Sequence, residues 1–251
     1  VLATGIAILF FSGSVFAAHN PHSKDNIPEK EGVYDEPGHP GVKVRVFVHR
    51  EKPDAAESSL LVCNLSDPDS TATVSAAGWH LPSAWTYNLN PSSVPSSVGS
   101  NNLATMSANT FSDWRAASGD KVSFSRGSNT TMTRTSYDLR NIIAFGKTSN
   151  SVLGVTYIRY YSLSRLVVDV DTILNNRVFW KWSNSNTCGY SEAYDAENVI
   201  EHEIGHWLGL DDEYDSVNYR YATMFGSAGK GEVNKTTLEA SDTSGTYSIY
   251  N

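Results

Sequence analysis

The sequence predicts an α+β domain of the α/β type, and three observations carry that reading. A strand-like run at residues 85–90 precedes a helical stretch at 97–117, about four short β-rich runs, and a second helical stretch around His202. Hydrophobic residues make up 40% and charged residues 18%, the balance of a globular chain and not of a disordered one. A length of 251 residues suits one domain with an extension better than two large domains.

The elements follow in order. Residues 1–18, VLATGIAILFFSGSVFAA, carry no charge. They are too short for a comfortable membrane span and end in small residues, so residues 1–17 read as a signal peptide cleaved after Ala17 and truncated at its start. Residues 18–40 are polar and hold Pro21, Pro28, Pro37 and Pro40, the composition of a linker or the start of a propeptide. Val42, Val44, Val46 and Val48 then alternate with Lys43, Arg45, Phe47 and His49, which predicts a strand. Further β-rich stretches at 60–63 and 71–74 make residues 41–81 a β-rich N-terminal extension and a candidate propeptide. His49 and His80 read as packed surface residues without a partner.

The main domain is expected over residues 82–251. The strand at 85–90 is stopped by Pro91. In the helix, Leu103, Met106, Phe111 and Trp114 recur at helical spacing and mark the buried face. Short strands are expected at 122–124 and 142–145, and two more at 152–161 and 166–170, all rich in β-branched and aromatic residues. Trp180, Trp182, Tyr190 and Tyr194 fit either a pocket wall or plain core.

The chemistry is concentrated in residues 198–212, NVIEHEIGHWLGLDD. His202 and His206 are four apart, so a helix brings both imidazoles to one face, where they can bind one zinc ion. Glu203, about 100° further round, is placed to take a proton from a zinc-activated water instead of ligating. Asp195 is the expected N-cap. Gly209 can turn left-handed and end the helix, which lets Asp212 fold back as a third ligand and leaves a fourth position open for catalysis.

This run resembles the metzincin zinc signature, His-Glu-x-x-His-x-x-Gly-x-x-His, with Asp212 in the place of the last His, as in snapalysin-type bacterial metzincins. Residues 221–226, YATMFG, resemble the Met-turn, whose Met224 would form an apolar floor beneath the ligands. Residues 82–251 resemble a matrixin catalytic domain more widely. The resemblance implies a twisted, mostly parallel sheet of about five strands packed on two long helices, with the active-site cleft across the zinc. Gly226 stands where some metzincins carry a tyrosine, so no tyrosine switch is expected. No His lies between Trp114 and Glu201, so no second, structural zinc is expected.

The resulting expectation is a secreted, monomeric zinc endopeptidase that acts on protein or peptide outside the cell. A catalytically silent metzincin-fold binding protein and a zinc amidase acting on cell-wall peptide remain alternatives. A formal charge of -8 argues against nucleic acid or an anionic membrane as partner. Calcium is a further candidate ligand at Asp169 with Asp171, and at Asp211, Glu213 and Asp215. Export permits a Cys63–Cys188 disulfide; the rival role for Cys63 is a thiolate that occupies the zinc before activation.

Overall fold

The computed structural model describes residues 27–52, 66–177, 181–184 and 192–251. The leader, the expected strand at 60–63, Trp180, Tyr190 and both cysteines lie outside the described residues.

The centre of the molecule is one mixed sheet. Its strands are β1 (Gly32–Asp35), β2 (Val42–Glu51), β3 (Ala84–Leu89), β4 (Ser123–Arg126), β5 (Asn141–Gly146), β6 (Gly154–Tyr161) and β7 (Val167–Asn175). They run in the order β1-β2-β6-β7-β5-β3-β4. The β4, β3, β5 and β7 part is parallel. β6 is antiparallel to both β7 and β2, and β1 is antiparallel to β2. Every residue of β5 is buried, as a parallel strand covered on both faces requires. In β3 the alternation survives: Trp85, Tyr87 and Leu89 point inward. Two short strands, β8 (Trp182–Ser183) and β9 (Tyr194–Asp195), pair with each other, and β10 (Ser227–Ala228) pairs with the end of β2.

Among the described residues three α-helices lie on one side of the sheet. In α1 (Ser100–Ala117) the predicted stripe of Leu103, Met106, Phe111 and Trp114 is buried. The helix begins later than residue 97, because Val98 and Gly99 both donate their N–H to Pro95 O and close a turn there. α2 (Ala196–Leu208) carries the His-Glu-x-x-His run and is buried along its whole length, the mark of a central helix. Asp195 caps it, accepting from Asn198 N, and Gly209 ends it at φ 103°. The Trp114 indole donates to Glu201 O at 2.9 Å and pins α1 to α2. α3 (Ala240–Tyr250) starts with a capping box between Glu239 and Asp242, and its Tyr250 hydroxyl donates to Leu208 O.

Two expectations change. Residues 71–74 form no strand; Val74 N donates to Ser241 O and the segment runs across α3. Strand β2 does form, but as a member of the main sheet, paired with β6 over eight positions from Val42↔Tyr161 to His49↔Gly154. The sheet is therefore wider than about five strands, and β2 lies where an open cleft was expected. Its valines Val44, Val46 and Val48 join a cluster with Ile142, Val155 and Ile173 on the far face of the sheet. Arg45, Phe47 and His49 consequently turn toward α2.

Candidate metal centre

His202 and His206 stand one turn apart on α2 with ring centroids at 4.8 Å. Both Nδ1 atoms face backbone carbonyls, Thr223 O at 2.8 Å and Leu210 O at 2.9 Å. A carbonyl only accepts, so each ring carries its proton on Nδ1 and presents a bare Nε2 lone pair. Asp212 returns to the same point after the left-handed turn. Its Oδ1 lies 3.1 Å from His202 Nε2 and 3.7 Å from His206 Nε2.

That arrangement is unfavourable without a cation. His202 Nε2 and Asp212 Oδ1 are buried and have no hydrogen-bond partner. Protonating the rings would satisfy the carboxylate, but burial drives His202 well below the ordinary histidine value and His206 down to about 3. Lone pairs therefore face lone pairs at a buried point, and a divalent ion of zinc's ligand preference fits there. The carbonyls of Thr223 and Leu210 supply the outer contacts that orient the rings. Tyr214 extends this shell, its hydroxyl 3.4 Å from Asp212 Oδ2.

Glu203 is fully buried beside His202. Its Oε1 has no partner, and its Oε2 accepts from Thr156 Oγ1 at 2.5 Å. Thr156 Oγ1 in turn lies 2.6 Å from Thr172 Oγ1, which accepts from the Trp207 indole N–H at 2.9 Å. Thr156 spends its one hydroxyl proton on Glu203, so the hydroxyls are ordered in one direction: Trp207 to Thr172, Thr172 to Thr156, Thr156 to Glu203. Burial pushes Glu203 up to about 8, against the hydrogen bond from Thr156. A cation at His202 would oppose that shift.

Met224 is buried beneath α2, its sulfur against the backbone of Gly205. The residues singled out in the sequence, His202, Glu203, His206, Asp212 and Met224, thus converge. The acids weighed for calcium have other partners. Asp169 and Asp171 face Arg159, at 2.7 and 3.2 Å from its Nη1, so a guanidinium already supplies positive charge there. Asp211 faces Arg45, Glu213 accepts from Ser75 N, and Asp215 accepts from Val217 N and Asn218. Trp182 and Tyr194 belong to the core, beside Phe145.

Three participants escaped the sequence reading. His49 is not a surface residue: it is 2% exposed, its ring 4.1 Å from that of His202. Phe47 stacks on His206 at 3.6 Å with the planes 7° apart. Thr156 supports Glu203 from β6. A usable signal for the first two was the polar side of the 42–49 alternation, where an aromatic and an imidazole interrupt what a solvated face would carry. Nothing in the sequence marks Thr156, because its partners lie 16 and 47 residues away.

Among the described residues two groups can hold a metal ion, His202 with His206 and Asp212, and His49 with His202 and Glu203. A mixed sheet backed by a helix with paired imidazoles and an adjacent carboxylate is an arrangement in keeping with a zinc metallopeptidase domain. The matrixin family model matches residues 78–251, and the chain belongs to that family, whose members are zinc metallopeptidases that act on proteins or peptides. No curated protein matches the chain.

Proposed function

We propose that the chain is an exported zinc endopeptidase in which His202, His206 and Asp212 hold one zinc ion and Glu203 is the general base. The observation that carries this reading is the pair of bare, buried donor atoms, His202 Nε2 and Asp212 Oδ1, at 3.1 Å. Zinc bound there supplies a Lewis acid that lowers the pKa of water toward neutrality and polarises a peptide carbonyl.

The chain's own residues do the rest. His202 and His206 bind through Nε2 while Thr223 and Leu210 hold their Nδ1 protons. Asp212 serves as the third ligand in place of the usual histidine. One carboxylate offsets part of the ion's charge, where three imidazoles would leave it whole. Glu203 takes the proton of the attacking water through its unpartnered Oε1 and returns it to the leaving amine. Thr156 keeps Oε2 engaged, which fixes the carboxylate's rotation. Export rests on the uncharged, small-residue-ended stretch at residues 1–18.

Glu203→Ala tests the assignment. It should retain zinc and lose casein cleavage. A variant that keeps cleaving rules out Glu203 as the base, and one that loses zinc makes it a ligand.

A further inference from the structure

The metal cluster is sealed. His202, Glu203 and His206 are at most 1% exposed, and the Asp212 side chain is 6% exposed. A peptidase must admit an extended chain to this point, so a segment that covers it has to leave. Strand β2 is what covers it. Phe47 lies flat on His206, Arg45 reaches Asp211 beside the third ligand at 3.4 Å, and His49 sits against His202. β2 also occupies the edge of β6, the edge at which a peptide would add as a strand. Its end is held against β10 by pairing, by Lys52 with Glu232, and by the Tyr194 hydroxyl on Glu51 at 2.5 Å. The matrixin match begins at residue 78, after β2.

His49 adds a chemical observation. Both of its ring nitrogens are buried without a hydrogen-bond partner. A buried imidazole left with neither donor nor acceptor satisfied is costly, and the group within reach is the metal cluster. One of its nitrogens lies within 4.8 Å of ligand atoms of His202 and Glu203, and that set shares His202 with the set containing His206 and Asp212.

We propose that β2 is an inhibitory strand carried by the chain itself, laid along β6 as a substrate would be, and that His49 ligates the metal in this closed state. The active form is the one from which β1 and β2 have withdrawn. In the closed state His49 occupies the coordination position that a water needs, beside Glu203. Phe47 fills the space over His206, and Arg45 anchors the strand electrostatically. The proposal rests on the zinc-peptidase reading.

X-ray absorption at the zinc edge on the full-length chain tests it, with casein hydrolysis measured alongside. The wild type should show three imidazoles on zinc and His49→Ala two. Phe47→Ala/His49→Ala should cleave casein at least tenfold faster than the wild type. A synthetic peptide of residues 42–51 should inhibit that double variant, and the same peptide with Ala for His49 should do so at least tenfold more weakly. The peptide arm also covers misfolding, because inhibition requires a folded site. Two imidazoles in the wild type, or no gain in rate for the double variant, overturns the inhibitory strand. A wild type that binds zinc and cleaves at the double variant's rate overturns it while leaving the peptidase reading intact. A full-length chain that takes up no zinc overturns both.

Discussion

The sulfur of Met224 occupies the place where a side chain on Gly205 would begin, and Trp114 Cζ2 closes the same spot at 2.8 Å. The middle of the metal-bearing helix is therefore glycine for packing, although glycine costs a helix interior about 1 kcal/mol relative to alanine. Gly205→Ala should gain that propensity and lose more to overlap with Met224 and Trp114. A net destabilisation of about 1–3 kcal/mol is expected from overpacking of this kind. Urea unfolding of the zinc-bound chain measures it; a more stable variant would mean that Met224 is free to move aside.

Thr156→Val tests the hydroxyl relay. The substitution nearly preserves volume and removes the donor to Glu203 together with the acceptor for the Thr172 hydroxyl. In the Phe47→Ala/His49→Ala background, kcat/KM for a peptide should fall about 10–100-fold, the usual effect of losing such an orienting contact. Zinc content should not change. Thr172→Val should have a smaller effect, since Thr156 then keeps its own bond to Glu203. Equal rates for Thr156→Val and its parent would remove the relay from the mechanism.

A pH dependence follows from Asp171. Burial, and the neighbouring Asp169, raise it from 3.8 to about 8, against the Arg159 guanidinium and the donors Ser136 N and Thr135 Oγ1. A raised value in the folded state favours the protonated form. Its contribution to stability is complete below about pH 4 and is lost as pH rises through about 8. Asp171→Asn should fit the site: an amide oxygen can accept from Thr135 and Ser136 where Oδ2 now does, and the NH2 takes the position of the unpartnered Oδ1. Between pH 5 and 8 the wild type should lose up to about 1 kcal/mol per pH unit more than this variant. Urea midpoints of both proteins across that range give the comparison, and parallel curves would refute it.

The candidate metal site was legible because each spacing in residues 202–212 restates local geometry. Four residues make a helical turn between His202 and His206, and Gly209, at φ 103°, makes the reversal that brings Asp212 back. Local rules likewise located α1 and most of the strands. Pairing partners were not legible. Nothing local tells that residues 42–49 pair with residues 154–161, more than a hundred positions away, so the strand was foreseen and its place over the metal was not. His49 was set aside for the same reason. The sequence reading placed a strand at 166–170. β7 continues to Asn175, since Arg159 from β6 meets Asp171 and the Trp207–Thr156 relay meets Thr172.

In the proposed site His202, His206 and Asp212 together hold one zinc ion. Zinc stoichiometry by elemental mass spectrometry, on the full-length wild type and on Asp212→Ala after dialysis against a weak chelator, tests it most directly. One zinc per wild-type chain and a small fraction of that in the variant is the predicted result. A wild type without zinc, or an Asp212→Ala variant that retains it fully, would contradict this three-residue site.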